Sequence, residues 1–204
     1  RWPAKAVPGE VIPIRATVFR EGHDRFGATA VLVRPDGTDG PSARMVEILP
    51  GLDRYEARLA ADAPGDWGLR VEGWSDPYAT WAHDAGIKVP AGIDVPLMLE
   101  EGARVLDRAA AVPGRDSGDA AALTAAAEQL RDEALPDGER LSAGLAGPVV
   151  EALDRLPLRD HVSPSATYPL QVDRSRALAG SWYEIFPRSL GSGSDEQGNW
   201  YTGT

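Results

Sequence analysis

The chain has 204 residues, 43% hydrophobic and 25% charged, a balance that excludes wholesale disorder and implies one or two domains of ordinary size. Its 31 acidic and 21 basic residues leave a net charge of −10, which disfavours nucleic acid and anionic membranes as partners. It has no cysteine, so a disulfide framework, a thiol nucleophile and a zinc–thiolate site are excluded.

The first elements read as strands. In Val11 to Arg20 the residues Ile12, Ile14, Ala16 and Val18 alternate onto one face, and Pro13 suits an edge because it cannot donate to a ladder. Ala28 to Arg34 is an apolar, β-branched run closed by the turn Pro35-Asp36-Gly37. A strand is expected from Arg44 to Leu49, stopped at Pro50-Gly51. Tyr55, Ala57 and Leu59 alternate next, then Trp67, Leu69 and Val71, and Tyr78 to Val89 reads as a last long strand. Short strands separated by Pro/Gly turns predict an antiparallel β-sandwich over residues 1–92.

Composition then changes near Gly92. Both lysines and most aromatics lie before it. Residues 93–160 hold 14 acidic against 7 basic residues, many alanines and no aromatic, which predicts a helical insert. Asp94 is expected to cap a helix over 95–111, with Leu99, Ala103, Leu106 and Ala110 on one face. Asp116 or Asp119 starts a second helix carrying Leu123, Ala127, Leu130 and Ala134. Asp137 caps a third with Leu141 and Leu145, and Gly147-Pro148 opens a fourth with Val149, Leu153 and Leu156. Four short amphipathic helices make a small bundle. Residues 161–175 supply a strand, Tyr168 to Arg174, that returns to the sandwich. Gly180 to Arg188 is a further strand-like run, and 189–204 reads as a Gly/Ser-rich loop cut in mid-course. The fold class is thus α+β and multi-domain: an Ig-like sandwich with an inserted helical bundle.

Chemistry is thinly marked. His23, His83 and His161 share no metal-ligand spacing and are expected at the surface or in turns. Glu100-Glu101 and Asp132-Glu133 stand beside arginines on helices and read as solvated faces. Gly-x-Ser-x-Gly is absent, and Gly191-Ser192-Gly193-Ser194 lacks the Lys-Ser/Thr of a phosphate loop. No catalytic residue, cofactor site or metal site is expected. Aromatics carry more weight. Trp67 falls in phase with the core. Trp74, Tyr78 and Trp81 gather around the bend Ser75-Asp76-Pro77 and are candidates for an interface or a sugar-stacking platform. No apolar run approaches the roughly 20 residues that span a bilayer. The start, Arg1-Trp2-Pro3-Ala4-Lys5, lacks a secretory signal's apolar core, and a cytoplasmic location is expected.

Gly180-Ser181-Trp182-Tyr183-Glu184-Ile185-Phe186-Pro187-Arg188-Ser189 resembles the first barrel strand of glycoside hydrolase family 13, the α-amylase superfamily. Pro3-Ala4-Lys5-Ala6-Val7, Val18-Phe19-Arg20-Glu21-Gly22-His23, Val71-Glu72-Gly73-Trp74-Ser75-Asp76-Pro77 and Leu156-Pro157-Leu158-Arg159-Asp160 narrow the likeness. In that order they resemble the N-terminal region of the actinobacterial GlgE family of α-1,4-glucan:maltose-1-phosphate maltosyltransferases, across essentially the whole chain. The resemblance implies a sandwich, a helical insert and then a (β/α)8 barrel whose first strand begins within 176–204. It also implies a retaining enzyme that extends α-1,4-glucan from maltose 1-phosphate in glycogen biosynthesis, working as a homodimer through these N-terminal domains. The family's nucleophile and acid/base come from later barrel strands, so no site residue carries over and this chain alone is expected to be inactive. A glucan-binding sandwich module of another amylase-superfamily enzyme is the alternative.

Overall fold

The computed structural model describes residues 2–180 and 184–203. Seven strands come first: β1 (Ala4–Ala6), β2 (Ile12–Thr17), β3 (Phe26–Val33), β4 (Asp39–Arg44), β5 (Val46–Leu49), β6 (Arg54–Leu59) and β7 (Gly65–Ser75). Five helices follow: α1 (Pro77–Lys88), α2 (Val95–Ala110), α3 (Ser117–Arg131), α4 (Asp137–Gly144) and α5 (Gly147–Arg155). Then come β8 (Asp160–Pro164) and β9 (Tyr168–Val172), with a short hairpin, β10 (Gly193–Ser194) and β11 (Trp200–Tyr201), near the end.

The larger sheet has the order β1-β9-β7-β3-β4, and the smaller β2-β6-β5. Both contribute to one core, in which Ala28, Ala30, Leu32 and Trp67 of the larger sheet meet Ile14, Ala57 and Leu59 of the smaller. Period-two alternation places these side chains on the inner faces. The expected wholly antiparallel arrangement is corrected: β1 runs parallel to β9, with Ala4 opposite Leu170, so the larger sheet is mixed. The strand expected from Arg44 to Leu49 divides at Met45. There the chain leaves the larger sheet for the smaller, with the Met45 side chain buried and its N–H donating to the Ala28 carbonyl.

The strand expected over Tyr78–Val89 is the helix α1. Asp76 caps it, its side chain accepting from the Ala79 N–H, and Pro77 presets the first turn. Tyr78, Trp81, Ala85 and Val89 then follow at spacings of three and four, and all pack in the helical core. That core therefore begins at Pro77, upstream of the composition change at Gly92. Its centre is Trp81 with Leu99, Ala103, Leu106, Leu123, Leu130 and Val149. The Trp81 indole N–H donates to the Met98 carbonyl at 2.6 Å. Gly102 and Gly144 lie so close to its ring that a Cβ at either would collide with it.

Helices α2 to α5 match the expected four, with changes at their starts. Asp116 caps α3 as expected. Asp94 makes no cap bond and sits in the left-handed region (φ 49°), while Pro136, not Asp137, precedes α4. At their ends, Ala134, Leu145 and Leu156 lie just past α3, α4 and α5. The barrel strand expected over 180–188 falls partly on Ser181–Tyr183, outside the described residues. Gly180 and Glu184–Phe186 lie outside regular structure, and Pro187–Ser189 form a single 3-10 turn.

Candidate functional site

Strand β7 carries the helices out of the larger sheet, and β8 brings the chain back beside it, with Ser75 opposite Asp160. The β2–β3 loop, Val18 to Arg25, lies over this exit. A cleft of about 500 Å³ opens between that loop, the start of α1, one face of α2 and the start of β8. Arg20, Asp24, Asp84, Glu101, Arg104, Arg108, Asp160 and His161 line it, with the edge of Trp81 and Val105. A second hollow of about 260 Å³ shares Arg20, Ser75 and His161 with the first and adds Val18, Phe19, Phe26, Trp74 and Ser163. The two form one groove with an apolar end and a charged end.

Arg20, Arg104 and Arg108 each donate to a carboxylate, whereas Asp84 and Glu101 make no ion pair among the described residues. Arg20 donates to Ser75 Oγ at 2.6 Å and to Asp24 Oδ2 at 2.9 Å. Arg108 donates to Asp160 Oδ1 at 2.6 Å, and Arg104 to Glu100 Oε1 at 2.7 Å. Hydrogen bonds from Arg131 and then Arg104 hold the Glu100 carboxyl below the usual carboxylate range, so this residue is an ion-pair anchor. Its neighbour Glu101 lines the cleft. Asp132 terminates α3, its side chain accepting from the Ala134 N–H.

The histidines divide. His23 and His83 line one further hollow with Asp24, Arg25, Tyr55 and Asp84, where an Arg25 guanidinium nitrogen lies 3.2 Å from His83 Nδ1. His161 stands apart at the shared wall of the groove, with a left-handed φ of 52°. Among the described residues no three His, Asp or Glu side chains gather in a metal-binding arrangement. The larger hollow carries the ion-paired arginines, and the smaller is lined by Phe19, Phe26 and Trp74.

The three aromatic candidates are placed inward. Trp74 is 2% exposed; its indole N–H donates to Thr29 Oγ1 at 3.0 Å and Arg44 stacks on its ring at 5.2 Å. Trp81 is 5% exposed. Tyr78 is half-buried, 5.8 Å from Trp81 between ring centroids, and its hydroxyl donates to the Gly144 carbonyl at 3.1 Å. Burial pushes the Tyr78 phenol up to about 12. Tyr78 and Trp81 thus come together in the helical core and Trp74 joins the sheet end, and neither tryptophan offers a ring face to a sugar. Phe19 does lie open, 73% exposed at the apolar end of the groove. A signal for it exists in the sequence: it stands one residue out of phase with the inward set Ile12, Ile14, Ala16 and Val18.

Residues 1–174 match the family described as "Alpha-1,4-glucan:maltose-1-phosphate maltosyltransferase, domain N/S". The chain is similar to α-1,4-glucan:maltose-1-phosphate maltosyltransferase 1 of Streptomyces coelicolor, 52% identical over 203 residues, covering 99% of this chain and 30% of that protein. Its similarity to the enzyme of the same name from Mycolicibacterium smegmatis is 39% over 233 residues, covering 100% of this chain and 33% of that protein. For the Mycobacterium tuberculosis enzyme it is 38% over 228 residues, covering 100% and 32%. The chain thus spans about a third of the length of these relatives.

Proposed function

This chain belongs to the α-1,4-glucan:maltose-1-phosphate maltosyltransferase family, through its domain N/S, and from that premise we propose that it is the accessory region of an enzyme that extends α-1,4-glucan from maltose 1-phosphate and releases phosphate. The observation that carries this reading is the match of residues 1–174 to that one family domain, together with 52% identity to a relative of that name. The two sheets serve as an Ig-like sandwich, the helices as its insert, and the segment from Arg176 onward as the lead into a catalytic barrel. Chemistry belongs to residues outside this chain. Among the described residues its own groove sets no nucleophile beside a base, which supports a binding or scaffolding part over a reacting one.

A homodimer is part of the same reading, in a cytoplasmic enzyme. It is supported by β5, an edge strand of the smaller sheet that leaves Val46 and Leu49 exposed, with Leu52 beyond it. Unpaired edges with apolar side chains favour pairing with another chain. Trp74 and Trp81 serve it by fixing the frame, since their rings are buried.

Phosphate release tests the proposal. The full-length protein that contains this chain, given maltose 1-phosphate and a malto-oligosaccharide acceptor, is expected to liberate inorganic phosphate and lengthen the acceptor by two glucose units. The 204-residue chain alone is expected to release none. Turnover by the isolated chain, or none by the full-length protein, overturns the assignment.

A further inference from the structure

We propose that the exposed face of α1 and α2 docks a basic, amphipathic segment of the same polypeptide, one that lies beyond residue 204. That occupant presupposes the longer enzyme of the family reading above; the need for apolar and basic groups rests on the face itself.

The apolar end comes first. Residues 89–94 turn the chain from α1 into α2, closed by the N–H groups of Gly92 and Ile93 donating to the carbonyls of Val89 and Lys88. Ile87, Ile93 and Leu97 stand in or beside this turn, each more than half exposed. Trp81, Ala85, Met98 and Leu99 already fill the inward side of the two helices, so the helical core does not use these three aliphatic side chains. Open apolar side chains gathered at one place mark a contact surface. Charge comes second. Leu97, Glu101, Arg104 and Arg108 recur at spacings of four and three, a stripe on the outer side of α2. Arg104 holds Glu100 and Arg108 holds Asp160, whereas Asp84, Asp94 and Glu101 make no ion pair among the described residues. Against them stands the one amine of the two helices, Lys88. An arginine or lysine brought to this face gains partners. A second copy of the chain, itself at −10, meets like charge.

Reach comes third. Strand β9 leaves the larger sheet at Val172, opposite Gly65, whereas the helices leave β7 at Ser75. The length of β7 separates the two exits, about 35 Å at roughly 3.3 Å per residue. The match covers 30% of the Streptomyces coelicolor relative, so more than twice this chain's length lies outside it. A compact body of ~450 residues is about 60 Å across, wide enough to extend from one exit past the other. Its basic groups would then enter the cleft that Asp84 and Glu101 line, and its apolar groups would cover the α1–α2 turn.

Amide exchange in the full-length protein tests this. Val95 and Leu97 lie in the first turn of α2, where amide groups have no intrahelical acceptor, so they exchange fast unless covered. Slow exchange across residues 90–97 is expected in the full-length protein, unchanged on about hundredfold dilution because the contact is within one polypeptide. The double substitution Asp84→Asn with Glu101→Gln, which keeps the side-chain shapes, is expected to speed this exchange about tenfold, the effect of losing two exposed charge pairs. Salt at ~0.5 M, which screens those charges, should act in the same direction. Leu97→Gln, at the apolar end, is expected to speed it by a similar factor. Unchanged exchange over residues 26–33 of β3 establishes that each variant is folded. Fast exchange across 90–97 in the unsubstituted full-length protein overturns the proposal. So does slow exchange that neither the double substitution nor Leu97→Gln alters, or protection lost on dilution, which gives the face to a second copy. Phosphate release by the full-length protein is scored separately. Turnover with an uncovered face removes only the docking proposal. A covered face without turnover keeps the docking and removes the enzyme assignment.

Discussion

Trp81 sets the tolerances of the helical layer at the scale of single atoms. A Cβ added at Gly102 would run into its indole ring, whereas one added at Gly86 meets nothing within 4 Å. Gly102→Ala is therefore expected to cost roughly 1–3 kcal/mol through overpacking. Gly86→Ala, in an unobstructed helical position, is expected to stabilise by about 0.5–1 kcal/mol. Urea unfolding of the two variants checks the opposite signs. Tyr78 beside the same ring yields a pH prediction. Its phenol titrates at about 12 in the fold, through burial first and then the nearby Asp76 and Asp154 carboxylates, but near 10 when unfolded. Stability from this residue is full below pH 10 and is lost as pH rises from 10 through 12. Ultraviolet absorbance should show one phenol ionising late and together with unfolding. None of this was legible from the chain. A tryptophan and a tyrosine within an apolar stretch score as strand formers, and only the approach of Gly102 and Gly144 reveals what surrounds them.

Helix α1 depends on one residue at its start. Asp76 accepts from the Ala79 N–H and also pairs with Arg44 at 3.0 Å, and Arg44 reaches on to Asp154 at 3.2 Å. Asp76→Ala removes the cap and leaves Arg44 short of a partner, an expected loss of roughly 1–3 kcal/mol. Asp76→Asn retains a capping oxygen and is expected to recover about half; thermal melts of the two variants separate cap from ion pair. The start signal was present in Ser75-Asp76-Pro77, a side-chain acceptor followed by proline, yet it also fits a bend between strands. The following residues satisfied either period. Helices α2 to α5 were readable because alanine-rich stretches between Pro-Gly and Pro-Asp-Gly breaks offer no competing strand pattern. Strand β1 could not be read: it is three residues long and its register comes from β9, far along the chain. Strand β8 hid for another reason. His161 to Pro164 are all exposed, so the strand carries no apolar face to alternate. The groove was hidden likewise, because its walls come from four separated segments.

For the whole molecule, the division into a β unit and a helical insert was legible in the loss of aromatics after Gly92 and their return after Asp160, although the helical core starts earlier. What holds the two cores together is a set of polar links that no spacing announces. Glu72 of β7, only 8% exposed, is gripped by Arg70 at 2.8 Å and by Arg159 from the far end of the insert at 2.9 Å. Arg108 of α2 meets Asp160 at the root of β8. Within the helical core itself, Arg115 donates to the carbonyls of Ala109, Ala152 and Leu156, tying α2 to α5. These are hydrogen-bonded contacts between distant segments, and residue type alone does not reveal the partners. The pairing of Ser75 with Asp160 carries a practical consequence. Topologically, β7 and β8 are the arms of a hairpin whose turn contains all five helices, so the two ends of that cassette already meet. A splice there closes only a short loop, at small entropic cost. Replacing Pro77–Arg159 by a short Gly-containing turn should leave the Trp67 environment and the β3–β7 ladder intact by fluorescence and amide exchange. The same junction would then accept a foreign domain whose own termini lie side by side, making this fold a socket for grafted cargo.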